Sequence, residues 1–258
     1  MTSALIGFSG FVGGNIARQA SFNAYFNSKN INDLRGRNFD LVVCAGIPAV
    51  KWRANKNPER DWAIIKSLIE IFCSITARRF VLISTVDVYQ HPIYGDEETF
   101  IDLEGLHPYG RHRLLLERAL EGKFDALHVV RLPALFGPGL KKNPLFDLIC
   151  HNQIEKINLE SSFQWYPLMR IWSDIEKILE YRFALVNLAV EPVSMQLIKD
   201  RFFSDIICGA EPSPPAHYDI RTLYSQSLGG KDKGYVMRSP EVLEEIASWL
   251  KSPEVHYA

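Results

Sequence analysis

The chain has 258 residues, 47% hydrophobic and 23% charged, with a formal net charge of −1. That composition excludes a disordered or fibrous chain and suits one large α/β domain, or a cofactor domain carrying a smaller lobe. A near-neutral balance with a pI of about 6.7 supplies no field to recruit nucleic acid or a membrane surface, so neither is expected as a partner.

Ala4-Leu5-Ile6 is apolar and reads as a short buried strand, and residues 13–22 read as a helix. Between them runs Gly7-Phe8-Ser9-Gly10-Phe11-Val12-Gly13-Gly14. Glycines three apart between a strand and a helix are what a dinucleotide pyrophosphate requires. Gly7 allows the tight turn, Gly10 lets phosphates approach backbone N–H groups, and Gly13 lets the helix pack close to the strand. An ordinary glycine-rich turn has the same letters, so the rest of the chain must decide. The apolar start breaks at Gly7, and no stretch approaches the roughly 18 apolar residues of a spanning helix, so a cytoplasmic protein is expected.

Residues 24–26 form a short second strand in this reading, residues 32–37 a helical turn, and residues 39–46 a strand ending in glycine. Apolar residues at Trp62, Ile65, Leu68, Ile69 and Phe72 predict an amphipathic helix over 58–77. Residues 80–85 form a strand with a polar end, residues 109–121 a helix, and residues 126–132 a strand that stops at Pro133. This β-α alternation predicts a doubly wound parallel sheet of Rossmann type, with ligands beyond the carboxyl ends of its strands. After Gly137-Pro138-Gly139, prolines and aromatics become frequent. A dinucleotide-binding domain over 1–138 and a smaller substrate-binding lobe over 139–258 are expected, with some later segments returning to the first. Pro212-Ser213-Pro214-Pro215 reads as a stiff loop, and Ser239-Pro240-Glu241 starts a last helix to about residue 251. Cys44, Cys73, Cys150 and Cys208 stand far apart without a Cys-x-x-Cys pair, so free thiols and no metal site are expected.

Thr85 ends the strand 80–85, which aims its hydroxyl at the crevice of the glycine loop. Tyr109 opens a helix with Arg113 one turn later on the same face. A tyrosine with an ordinary pKa of about 10 is a poor base at neutral pH, and a neighbouring cation stabilises its phenolate. Arg113 is placed to supply that charge, Thr85 to hold a substrate oxygen, and Tyr109 to pass a proton to or from it.

At these residues the chain resembles the extended short-chain dehydrogenase/reductase family, in its branch of nucleotide-sugar epimerases, dehydratases and reductases. Gly7, Gly10 and Gly13 match its Gly-x-x-Gly-x-x-Gly, and Ser84-Thr85-Val86-Asp87-Val88-Tyr89 its Ser-(Ser/Thr)-x-x-Val-Tyr. Tyr109 matches its Tyr-x-x-x-Lys, and Arg131 to Gly139 its Arg-x-x-x-x-(Tyr/Phe)-Gly-Pro-Gly. Cys44-Ala45-Gly46 echoes its Asn-Ala-Ala, and Trp172-Ser173-Asp174-Ile175 its Val-x-Asp-Val. The resemblance implies a nicotinamide dinucleotide held by Gly7, Phe8, Ser9, Gly10, Phe11, Val12, Gly13, Ala45, Gly46, Tyr109, Arg113 and Pro133. It also implies a nucleotide-sugar substrate and a homodimer. Asp87, Asn143, Gln164, Tyr166, Arg170 and Arg221 are the expected substrate residues, the arginines as phosphate partners.

The sequence departs from the family pattern in three places. Arg113 stands where the family has the lysine that lowers the tyrosine pKa and bonds the nicotinamide ribose, and its planar fork is not an equivalent donor. No acidic residue ends the second strand to hold a ribose 2′-hydroxyl; Ser28 and Lys29 stand there, which tilts the cofactor from NAD toward NADP. Gly7 follows Ile6, where the family often has a Thr-Gly pair. A reductase and an epimerase use the same tyrosine and are not separated. A dehydratase is less favoured, because Asp87 follows Thr85 without the glutamate those enzymes carry. Arg113 also leaves open a second class: a non-catalytic, redox-sensing regulator that binds the dinucleotide on this scaffold.

Overall fold

The structure, a computed structural model, describes residues 2–231, 234–253 and 255. In chain order its elements are β1 (Ser3–Ile6), α1 (Phe11–Gln19), β2 (Ala24–Phe26), β3 (Asn38–Cys44), α2 (Lys51–Lys56), α3 (Pro58–Cys73), β4 (Thr76–Thr85), α4 (Pro108–Leu120), β5 (Leu127–Leu132), β6 (Ala134–Phe136), α5 (Pro144–Cys150), β7 (Ser162–Phe163), β8 (Trp165–Pro167), α6 (Ile171–Tyr181), β9 (Leu185–Asn187), β10 (Val193–Ser194), α7 (Met195–Phe202) and α8 (Ser239–Leu250). They fall into two compact units.

The first unit takes the residues up to His91, Glu97–Leu132 and Ile171–Asn187. It is built on a six-stranded sheet in the order β2-β1-β3-β4-β5-β9, parallel at every pairing. Ala4, Ile6, Val42, Cys44, Phe80, Leu82 and Val129 form one core with Ile65, Leu68 and Phe72 of α3 and Leu116 and Leu120 of α4. The alternate residues Leu5, Val43, Val81 and Val130 are buried as well, so both faces of the sheet are covered. This is the doubly wound α/β fold expected from the alternation. The strand order reverses direction at β1, which lies between β2 and β3. The carboxyl ends of β1 and β3 therefore flank the topological switch point, where such sheets bind ligands.

The second unit takes Pro92–Asp96, Pro133–Arg170 and the residues from Leu188 on. Two small sheets build it: β6 runs parallel to β8, and β10 antiparallel to β7. The units part between Leu132 and Pro133, six residues before the expected 138, and α6 with β9 returns to the first unit. A proline has no N–H to continue a ladder, and Pro133 ends β5.

The predicted helix over 58–77 stops at Cys73, and the strand expected at 80 already begins at Thr76. A polar stretch, Thr76 to Arg79, masks the first half of that strand to a reader of periodicity. All four cysteines are free thiols, and burial pushes the Cys44 thiol up to about 12. No described helix is long and apolar enough to cross a membrane.

Candidate functional site

Gly7 follows β1 directly and adopts φ +85°, a conformation that side chains rarely accept. A Cβ there would lie 2.5 Å from the Ala45 carbonyl and from the Gly46 Cα. The glycine turn after β1 and the Ala45-Gly46 turn after β3 are thus packed together at the switch point. A Cβ on Gly13 would lie 2.1 Å from the Gly7 carbonyl oxygen, so Gly13 is what lets α1 start this close to the strand. Gly10 differs: a Cβ there would meet only the Gly7 carbonyl oxygen, at 3.2 Å.

Gly10 caps α1 without a side-chain hydrogen bond, and the first turn carries no acidic residue. Ser9 and Gly10, which lead into that turn, are exposed. This cradle fits the pyrophosphate of a dinucleotide, because it offers unclaimed backbone donors and the positive end of a helix dipole. Gly13→Ala is expected to abolish dinucleotide binding, measured by fluorescence titration with the reduced cofactor. The clash is with backbone, which has no rotamer to yield.

Phe8 packs edge-on against Tyr25 of β2, with ring centroids 5.7 Å apart. β2 ends at Phe26, whose carbonyl accepts the Gly7 N–H at 2.7 Å. The next residues form a turn closed by Asn27 and Asn30, which leaves Ser28 and Lys29 exposed.

The structure brings Thr85 and Tyr109 together, the Thr85 hydroxyl lying close enough to the Tyr109 phenol to favour its ionised form slightly. Thr85 Oγ1 also accepts the Asp87 N–H at 3.1 Å, which fixes its rotamer. Tyr109 is only 8% exposed, and burial drives its phenol up to about 12 against the opposing charge of Arg113. Asp87 adds to the rise and Lys51 opposes it.

Arg113 is less available than the sequence implies. Its guanidinium carbon lies 4.0 Å from the centroid of the Tyr109 ring, over the face rather than at the hydroxyl. Both terminal nitrogens bond Asp61, at 2.5 and 3.0 Å, while one also donates to the Pro48 carbonyl and the other to that of Tyr109. The pair is 3% and 7% exposed. One donor is left over, the buried Nε–H, which has no hydrogen-bond partner. A buried donor without a partner beside the Tyr109 ring fits a ligand hydroxyl there.

Sequence reasoning missed the supporting groups. Asp61 on α3 also meets His112 Nδ1 at 2.7 Å, and bonds from Arg113 and His112 hold its carboxyl below the usual range despite burial. Asn55 on α2 accepts the Tyr109 N–H at 3.0 Å. His107 caps α4, its Nδ1 accepting the Gly110 N–H at 3.0 Å, and burial lowers its pKa. Gly110 has to be glycine, since a Cβ would lie 2.1 Å from the Asp87 carbonyl oxygen. With six residues, α2 is too short to display a helical period, and only the start of α3 at Pro58 was legible nearby.

The motif residues Ser84, Tyr89 and Arg131 prove to be structural. Arg131 bonds Glu117 of α4 and the Tyr89 hydroxyl, Tyr89 bonds Asn187 of β9, and Ser84 bonds Glu117. This buried network clamps the carboxyl ends of β4, β5 and β9 to the helix that carries Tyr109.

Of the expected substrate residues, Asp87 lies in the first unit, two residues past Thr85 and paired with Lys51 at 2.6 Å. The other five, with the cofactor residue Pro133, lie in the second unit. Two of those five are corrected. Gln164 is fully buried, its amide bonding the backbone of Val190 and Ile220, and Tyr166 is also fully buried. Such side chains hold the lobe's core together and present nothing to a ligand. Asn143 caps α5 and donates to the Leu135 carbonyl, so its amide is engaged at both ends. Arg170 donates to the Leu228 carbonyl on the wall of a cavity of about 430 Å³. Arg221 pairs with Asp219 at 2.9 Å and stacks on Tyr235.

No family model matches this sequence, and no curated protein matches it either. Solved structures do match. TunA, an NAD-dependent NDP-hexosamine 5,6-dehydratase of tunicamycin biosynthesis, superposes with a TM-score of 0.74 at 16% identity, over 99% of this chain and 100% of that one. The dTDP-4-dehydrorhamnose reductase of Bacillus anthracis, solved with NADP, gives 0.71 at 12% identity, over 97% and 98%. MoeE5, in complex with UDP-glucuronic acid and NAD, gives 0.70 at 15% identity, over 97% and 99%. At such identities the likeness is one of fold.

Proposed function

We propose that this chain is an NAD(P)-dependent oxidoreductase or epimerase acting on a nucleotide-diphosphate sugar. The observation that carries the proposal is the Thr85–Tyr109 pair at the carboxyl end of β4, in the same sheet whose switch point beside β1 carries a helix N-terminus without a side-chain cap. The three superposed enzymes support it, since each name or complex pairs a nicotinamide dinucleotide or a nucleotide sugar with this fold.

In this reading the first turn of α1, Gly10 and the Ala45-Gly46 turn hold the dinucleotide, and the buried Nε–H of Arg113 serves a ribose hydroxyl. The bound cofactor supplies a hydride donor or acceptor. Thr85 orients the reacting sugar oxygen, and Tyr109 exchanges its proton. A phenol held up to about 12 keeps its proton at neutral pH, which suits donation to a carbonyl oxygen, the reductive direction. Arg113, stacked on the ring and tied to Asp61, fixes where that phenol points. Arg170 and Arg221 are the remaining cationic candidates for the substrate diphosphate.

The test is the loss of absorbance at 340 nm when purified protein meets NADPH or NADH and a panel of 4-keto nucleotide sugars. Turnover is expected, faster at subsaturating NADPH than NADH, with Lys29→Ala erasing the difference. Equal use of both cofactors by the unaltered protein would remove Lys29 from the 2′-phosphate role. Tight dinucleotide binding with no turnover on any sugar would instead make the chain a non-catalytic sensor.

A further inference from the structure

Arg113 reaches Tyr109 as one half of a pair, not as a bare cation. Its guanidinium carbon lies 4.0 Å from the centroid of the Tyr109 ring, and one terminal nitrogen donates to the Tyr109 carbonyl at 3.3 Å. The same guanidinium meets Asp61 of α3 through both terminal nitrogens, at 2.5 and 3.0 Å. Such a two-point contact holds carboxylate and guanidinium together as a unit. The two side chains are 3% and 7% exposed, and charges so placed are weakly screened. Asp61 has a further anchor, since His112 Nδ1 stands 2.7 Å from the same oxygen that Arg113 bonds at 2.5 Å.

A lone cation against the ring would draw the phenol toward its phenolate, which is how the spacing of Tyr109 and Arg113 reads in sequence. With a carboxylate clamped to that cation, most of its pull on the proton is cancelled. Burial then governs, and the phenol is held up to about 12. The other charged groups around Tyr109 come from each neighbouring element. Lys51 of α2 and Asp87 beyond β4 pull in opposite directions and are paired at 2.6 Å. His107, which caps α4, has its ring centroid 6.3 Å from that of Tyr109, and burial lowers its pKa. Glu117, one turn past Arg113 on α4, is committed to Arg131.

We infer that Asp61 is a positioning residue for the Tyr109 proton: by neutralising Arg113 in place, it keeps the phenol protonated and able to donate. This rests on the proposed acid role of Tyr109, and it gives that role a direction. The carboxylate on α3, which touches neither the phenol nor a ligand, decides whether the cation beside the ring acts as a base-maker or as packing.

The test is a titration that needs neither sugar nor cofactor. Protein labelled with ¹³C at the tyrosine ring carbon that bears the oxygen is followed by NMR from about pH 6 to about pH 11. The Tyr109 resonance is assigned by its loss in Tyr109→Phe. In the unaltered protein Tyr109 should stay largely protonated throughout. Asp61→Asn leaves Arg113 uncompensated and should lower the proton affinity of the phenol about tenfold or more. Asp61→Asn/Arg113→Met removes both charges and should return the phenol to the behaviour of the unaltered protein. A merely structural role would not give that reversal, because loosened packing would lower the phenol in both variants. On an accepted sugar, the alkaline fall in turnover should move to lower pH in Asp61→Asn by the same factor. A phenol in Asp61→Asn that titrates as in the unaltered protein would overturn the inference, and so would an equal fall in the double variant. If Asp61→Asn does not fold, the double variant decides: an unchanged phenol supports the inference, and one lowered about tenfold overturns it. Absence of turnover in the unaltered protein would remove the acid role of Tyr109 while the titration still reads the effect of Asp61 on the phenol.

Discussion

Replacing Tyr109 by phenylalanine is expected to lower the rate of NADPH oxidation on an accepted sugar by about 10²–10⁴-fold, the range for losing a positioned acid or base. That corresponds to about 3–5 kcal/mol of transition-state stabilisation. The ring that Arg113 covers at 4.0 Å is retained in this variant, and so is the backbone N–H that bonds Asn55. Fold and cofactor affinity should therefore stay unchanged, and the loss should appear in kcat with little change in KM for the cofactor. A variant that keeps its turnover would take the acid role from Tyr109. A variant that loses NADPH affinity in step with rate would make the tyrosine a binding residue.

The second large effect is on stability and falls on a residue away from the chemistry. Asp61→Ala strands the Arg113 guanidinium at 3% exposure without its carboxylate, a change expected to cost about 3–5 kcal/mol. For a chain of this length, about 10 °C or more of Tm should be lost in a thermal melt. The double variant Asp61→Ala/Arg113→Met removes both charges and should regain most of that loss, because a buried pair replaced by apolar groups is close to neutral. Strict additivity of the two single changes would mean that the ion pair is not coupled. The same pair sets an acid limb. Asp61 titrates below its unfolded value of about 3.9, so its contribution is complete above that pH and is lost as pH falls through the folded value. Stability below about pH 4 should fall more steeply for the unaltered protein than for the double variant.

Both predictions concern groups that the sequence revealed unequally. Thr85 and Tyr109 were legible because each terminates or opens an element the sequence shows: a run of apolar strand residues in one case, a helix carrying Leu114, Leu115 and Leu116 in the other. Arg113 was legible by spacing, but its commitment was not, since Asp61 lies 52 residues away on a different helix. Lys51 and Asn55 were invisible for a related reason, sitting on a six-residue helix with no apolar face to announce it. In the second unit, aromatic and polar residues around Trp165 read as a ligand surface because composition alone does not distinguish an exposed polar side chain from a buried, satisfied one. Gln164 is the second kind.

The opening glycines show where that division lies. Sequence by itself determined the doubly wound sheet, the phosphate-sized turn after β1 and the order of the motif residues, because all of these are local: a period of two or 3.6 residues, a glycine where φ is positive, a proline where a ladder ends. Tertiary structure alone decided how the charges are paired. Asp61 takes up the terminal nitrogens of Arg113, Asp87 pairs with Lys51, and burial keeps the Tyr109 proton in place. Those outcomes depend on desolvation and on partners brought together across 36 to 52 residues of chain, and neither is written in the spacing of a motif.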